Sequence, residues 1–325
     1  GLSSLPKKTY LLLIIFLLNI GLLRTHATIR YVKNTATGLA DGSSWANASA
    51  NLQSMIDASS ANDEVWVAAG TYTPSAFPTG SIGGTSTRDY GFLLKNQVKI
   101  YGGFDGTETE LSQRTKANNS ILSGDINNTS DVSDDVYHVI LSVSDDNATF
   151  LDGFTITKGN ANGTSYIFIE SNIIFRNDGG GMINSSSSPT INNCIFLANK
   201  ASNGGGIHNF NIAAPTITNC FFADNNATNG GGMNNNFFSS PNISNCIFSG
   251  NVASASGGGL ENYFDSSPII TNCSFANNRA DYSGGGINNS FSSSNQITKN
   301  TVFWGNKKGT NIDVAGADIQ NSSCL

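Results

Sequence analysis

Few side chains between Gly179 and Asn306 could move a proton. The acids are Asp224, Glu261, Asp265 and Asp281, and the bases are His208, Lys200, Arg279 and Lys299. Hydrolysis of a glycosidic bond needs two carboxyl groups about 5 to 10 Å apart. His208 and Glu261 form the best acid/base pair, because both fall in one column of an internal repeat: Ile183, His208, Asn234, Glu261, Asn288. If the column runs across stacked strands, two units separate the pair by roughly 10 Å at the backbone. Polar residues on an outward, solvated strand face would produce the same pattern. Lys200 and Arg279 share another column, with Asn226 and Val252 between them, and are expected to stay in solvent.

Other residues invite metal or ligand chemistry. The stretch holding Asp125, Asp131, Asp134 and Asp135, and the pair Asp145-Asp146, could bind Ca2+ through carboxylates and backbone carbonyls. Their spacing matches neither an EF-hand nor the nonapeptide calcium repeat, and Asx turns alone account for aspartates there. No other cofactor is expected. Cys194, Cys220, Cys246 and Cys273 stand 26, 26 and 27 residues apart, without the close cysteine pairs or the histidines of a zinc site. They read as buried thiols packed like small apolar groups, or as bridges Cys194–Cys220 or Cys246–Cys273. Phe210, Phe237, Tyr263, Phe264 and Phe291 follow one strand of each unit and could present rings to a sugar, or pack beneath the neighbouring Ser/Pro loops.

The repeat that positions these groups is explicit. Triple glycines begin at Gly179, Gly204, Gly230, Gly257 and Gly284, in step with the cysteines, and Thr301 takes the fifth cysteine place. Each unit carries two short β-branched or aromatic segments with turn-formers between them, as in Ile207-His208-Asn209 and Thr216 to Phe222. Neither segment reaches helix length. Units of about 26 residues built this way stack as coils of a solenoid. Stacking predicts interior columns: Phe196, Phe222, Phe248, Phe275 and Phe303; Ile191, Ile217, Ile243, Ile270 and Ile297; Ala201, Ala227, Ala253 and Ala280. Strict alternation cannot bring Ile191, Cys194 and Phe196 to one face. A corner is therefore expected at Asn193, Asn219, Asn245, Asn272 and Asn300, since asparagine tolerates left-handed backbone angles. Two further columns, Asn184 to Asn289 and Asn199 to Asn306, are expected to serve similar turns.

The amino-terminal half is less regular. Strands are expected at 29–32, 64–68, 92–94, 97–101, 120–123, 137–143 and 150–157, with one helix over 45–58 to cap the open first coil. Segment 166–176 fits the repeat poorly and is expected to be a distorted coil or an outward excursion. Residues 1–27 combine Lys7-Lys8, an apolar run from Tyr10 to Leu23 and a small-x-small ending at Ala27, which reads as a signal peptide or, less economically, an uncleaved anchor. Residues 28–325 then form one domain: cap and irregular coils over 28–178, regular coils over 179–306 and a tail over 307–325. Only 12% of residues are charged and the net charge is −6, so the basic footprint of a nucleic-acid binder is missing.

The chain resembles the pectin-lyase-like superfamily of right-handed parallel β-helices. The resemblance rests on Tyr31-Val32, Asp41 to Trp45, Val65 to Tyr72, Tyr101 to Phe104, and the rhythm of Gly204-Gly205-Gly206-Ile207 with Phe222-Ala223-Asp224-Asn225. That rhythm is similar to the repeat of chlamydial polymorphic outer-membrane proteins. The resemblance implies an all-β solenoid, secreted or on a bacterial cell surface or outer membrane, often adhesive, meeting the membrane only through export or an anchor. The expected partner is a glycan or a surface protein. The superfamily also implies an alternative, a polysaccharide lyase or glycoside hydrolase acting on acidic polysaccharides. A lyase of that kind would need Ca2+-binding acids and a basic proton acceptor.

Overall fold

Every regular unit carries the chain once around a right-handed parallel β-helix. The computed structural model describes residues 27–309, 311–312 and 318–322, apart from Lys116, Ser130, Ser292, Ser294 and Asn295. The signal-peptide reading therefore lies almost wholly outside the described residues.

Four sheets run along the helix axis. The third regular coil shows how one unit feeds all of them. Asn226–Asn229 lies in a seven-stranded arm sheet, Met233–Asn236 in an eight-stranded groove sheet, Asn242–Ser244 in a nine-stranded sheet and Ile247–Ser249 in another eight-stranded sheet. Pairing between successive coils is parallel and in register, as in Ile217↔Ile243 and Phe222↔Phe248. The expected columns follow from this register. Phe196, Phe222, Phe248 and Phe275 are fully buried, with stacked ring centroids 5.0, 4.5 and 4.6 Å apart. The four cysteines are buried and unbridged beside them. The expected aliphatic column breaks at its last member: Ile297 pairs with Ile269 and is exposed, and Thr298 takes the place opposite Ile270.

The asparagines divide into two kinds. Asn193, Asn219, Asn245, Asn272 and Asn300 have φ of 50, 55, 55, 55 and 47° and turn the corner expected of them. The other two columns do not make turns. Asn184, Asn209, Asn235, Asn262 and Asn289 point inward from the groove sheet as an amide ladder, each Nδ2 donating to the next Oδ1 at 2.7 to 2.8 Å. Asn199, Asn225, Asn251, Asn278 and Asn306 follow the turn residue. Asn225 is typical: its Oδ1 accepts from Asn199 N and Nδ2, and its Nδ2 donates to Phe196 O and Asn251 Oδ1. A buried amide with no partner would cost about 1 to 3 kcal/mol, so only a complete ladder is tolerable.

The helix is shorter than its pattern suggests, Leu52–Ala58, with Asn51 capping Ser54 N. Residues 41–49 are held instead by Gly42 N to Asn47 O and Ser49 N to Tyr31 O, while Trp45 packs 4.7 Å from Tyr31 and 5.6 Å from Phe104. Leu52, Met55 and Ile56 still close the first coils as expected. The expected strand 150–157 is broken by Gly153 at φ 80° into Phe150–Asp152 and Phe154–Thr157, which belong to different sheets. Of the two alternatives for segment 166–176, the outward excursion is found, as an antiparallel hairpin of Tyr166–Ile169 and Asn172–Phe175. Its Ile167, Ile169 and Ile174 cover Leu93, Leu141 and Ile183 on the outer face of the groove sheet.

Candidate functional site

Leu93, Leu141 and Ile183 belong to one outward column of the groove sheet that continues through His208, Asn234, Glu261 and Asn288. The column is apolar where the hairpin lies on it and polar beyond. The expectation that the polar part is a solvated strand face is wrong: His208 is 1% exposed, Asn234 and Glu261 2%, and Asn288 0%. The triple glycines cause this. The first of each lies at φ 61 to 67°, and a Cβ on Gly230 would come within 2.8 Å of the Asn234 Cβ, one on Gly284 within 2.6 Å of that of Asn288. Only glycine permits so sharp a bend, which folds the arm sheet over the outward column.

The fold-back leaves a groove of about 420 Å3 along the helix axis. Asn203, Asn229 and Ser256, the residues just before the triple glycines, form one wall; Asn234 and Glu261 form the floor; Asn236, Tyr263, Ser290 and Phe291 form the other wall. The first wall is an amide ladder, with Asn229 Nδ2 donating to Asn203 Oδ1 and Asn203 Nδ2 to Asp178 Oδ1. Sequence reasoning missed this wall and Asp178. The signal was present in the small polar residue that precedes every triple glycine: Asp178, Asn203, Asn229, Ser256 and Ser283.

On the floor, Glu261 Oε1 accepts from Asn288 Nδ2 at 3.0 Å and from Ser290 Oγ at 3.1 Å. Its Oε2 meets no donor, and the Oδ1 atoms of Asn234 and Asn288 are likewise buried without one. Burial pushes the carboxyl up to about 8, against the two hydrogen bonds that pull it down. Glu261 is therefore largely neutral at pH 7.

His208 does not join Glu261. Asn234 stands between them, and the imidazole lies behind the groove, stacked on Phe210 with centroids 5.8 Å apart. Asp178 Oδ2 is 3.6 Å from its Nε2, too far for a hydrogen bond, and the Asn234 amide lies alongside. Burial lowers its pKa more than Asp178 raises it, so the ring is neutral. The expected acid/base pair is thus two separately buried groups.

The five rings come from two adjacent columns. Phe237, Phe264 and Phe291 occupy left-handed positions at φ 51, 45 and 50° and stack face to face, 4.9 and 5.2 Å apart. The stack occupies both faces of Phe264 and one face each of Phe237 and Phe291. Phe210 bridges Phe237 at 5.4 Å and Phe175 of the hairpin at 6.0 Å. Tyr263 stands edge-on to Phe264 and Phe291, at 4.6 Å from each, and only Tyr263 and Phe291 line the groove.

No family model matches the chain, and no curated protein matches it. Among solved structures it is similar to the pectin methylesterase from Aspergillus niger, at 13% identity over 92% of this chain and 86% of that one, with a TM-score of 0.32. A similarity of that size transfers neither substrate nor mechanism.

Away from the groove, the acid-rich loop is satisfied internally. Thr129 N donates to Asp125, Ser133 N to Asp131 and Asn127 Nδ2 to Asp134. Asp135 is buried, and burial, reinforced by Asp125, raises it to about 6. Among the described residues no three His, Cys, Asp or Glu side chains converge as metal ligands. A second cavity of about 460 Å3 lies beside the hairpin tip between Asp57, Lys95, Asp145 and Glu170. Asp145 accepts from Ser142 Oγ at 2.6 Å, and burial pushes it up to about 6.

Proposed function

We propose that this chain is an exported or cell-surface recognition module whose groove over Asn234 and Glu261 holds an oligosaccharide, without cleaving it. The observation that carries the reading is the groove's lining: amides on one wall and the floor, rings on the other, and Glu261 as its one acid among the described residues. Amides and hydroxyls match sugar hydroxyls at the repeat of the stacked strands, and two aromatic side chains supply apolar contact. Glycoside hydrolysis needs a second carboxyl within about 10 Å, and none of the other groove-lining residues provides one. Export rests on the apolar run from Tyr10 to Leu23 with the small-x-small pattern ending at Ala27, and the surface location on the similarity of the repeat to outer-membrane passengers.

The test is a panel of neutral, amino and acidic oligosaccharides, measured for binding and for cleavage with residues 28–325, with and without Ca2+. Binding that weakens in Tyr263→Ala, without release of reducing ends or unsaturated products, is the expected result. Cleavage would replace the reading with the enzymatic alternative, and no binding at all would end it.

A further inference from the structure

The floor of the groove has an asymmetry in its hydrogen bonding. Asn234, Glu261 and Asn288 follow one another in register on adjacent strands, about 4.8 Å apart. The Asn288 donor is spent on Glu261 and Ser290, whereas Asn234 Oδ1, Glu261 Oε2 and Asn288 Oδ1 are buried acceptors with no donor. Buried acceptors are costly to leave unmet. Of the three, Glu261 belongs to the groove lining and has no donor beside its free oxygen, so it calls for a ligand that brings one.

The middle acceptor sets the charge of that ligand. A carboxyl in so dry a place is driven to its neutral form unless a cation comes to it. The residues lining the groove include no Lys, Arg or His, so the protein brings no cation of its own. Tyr263 and Phe291 line the same groove, and aromatic rings attract an ammonium through the negative face of the ring. A carboxylate, the Asn234 amide and two rings form a receptor for an ammonium.

We infer that the groove selects oligosaccharides bearing protonated amino groups, with the ammonium seated at Glu261 beside the Asn234 amide and the Tyr263 and Phe291 rings. This rests on the glycan-binding reading above and narrows it to amino sugars.

The experiment compares glucosamine oligomers with their N-acetylated counterparts by titration calorimetry in mildly acidic buffer, where the sugar amine is protonated, using the 28–325 chain and Glu261→Gln. Because a charge-assisted hydrogen bond is lost on acetylation, the free-amine oligomer should bind about tenfold tighter or more. Glu261→Gln should remove that preference, bringing the ratio of the two affinities close to one. Equal affinity of the unmodified chain for the two oligomers would overturn the inference and leave the glycan reading standing. Failure to bind either oligomer or any other member of the panel would overturn both. The comparison on the unmodified chain decides the matter even if Glu261→Gln folds poorly.

Discussion

Asn288 holds Glu261 by one oxygen only: its Nδ2 donates to Oε1 at 3.0 Å, while Oε2 of the same carboxyl is buried without a donor. This half-satisfied acid has a consequence for stability. Its pKa rises from 4.5 unfolded to about 8 folded, so the folded chain holds a proton that the unfolded chain releases. Stability from this group is full below about pH 4.5 and is lost as pH climbs to 8, at about 1.4 kcal/mol for each step of one in pH. Asp135 and Asp145, raised to about 6, add the same sign up to that pH. His138, lowered to about 4, and His208, also lowered, act oppositely and cost stability as pH falls below 6.5. Between pH 6.5 and 8 Glu261 dominates these groups. Denaturant melts should show stability falling by about 1.5 to 2 kcal/mol over that window in the natural chain, and little change in Glu261→Gln. Parallel slopes in the two proteins would refute a buried neutral carboxyl.

The triple glycines give a second prediction. A Cβ on Gly230 would meet Met233 O at 2.2 Å in a backbone already at φ 65°. Gly230→Ala should lose on the order of 3 kcal/mol or fail to fold, from the clash and the left-handed strain together. Gly80, at φ 75° with open space around it, provides the comparison, because alanine there pays only the left-handed penalty of about 1 kcal/mol. Similar melting temperatures for the two variants would show that the sharp bend is not enforced by packing.

Asn225 gives a third. Alanine there strips partners from Asn199 N, Phe196 O and Asn251 Oδ1, all inside the ladder. The loss should reach about 3 kcal/mol or more, against less than about 0.5 kcal/mol for the exposed neighbour Asn226→Ala. Chemical denaturation of the two variants separates a structural ladder from generic asparagine content.

Much of this is legible in the sequence, for identifiable reasons. The Phe196, Phe222, Phe248 and Phe275 column can be read because identical residues recur at the coil period, and the corner at Asn193 because alternation fails there. Glu261 can be placed in its column, yet its burial cannot, since that depends on how far Gly257 bends the chain rather than on any residue beside it. The ladders at Asn184 and Asn199 pass for turns in the sequence for a related reason: asparagine suits both a left-handed corner and a buried amide stack, and its spacing is the same in each. The shift at Ile297 arises where the final units lengthen, from 27 residues between Asn245 and Asn272 to 28 between Asn272 and Asn300.

The cysteine column yields the last prediction. Cys194, Cys220, Cys246 and Cys273 are buried and unbridged, and each thiol points at the backbone, as Cys220 Sγ does toward Thr218 O at 3.2 Å and Ile191 O at 3.8 Å. Burial pushes the Cys220 thiol well above its usual range, and a thiol is reactive only as the thiolate. Under oxidising conditions, such as an exported chain would meet, neighbouring thiols on adjacent coils would bridge if solvent and oxidant reached them. Packing in the closed core, rather than spacing, keeps them apart. The folded chain should therefore show no thiol from this column reacting with an aromatic disulfide reagent, and all four should react on unfolding in denaturant. Intact mass after denaturation and alkylation checks the same point: a shortfall of two alkyl groups among these positions would mean that Cys194–Cys220 or Cys246–Cys273 is bridged, and that the coil spacing at the corner is set by a covalent link rather than by the Asn193 and Phe196 columns on either side of it.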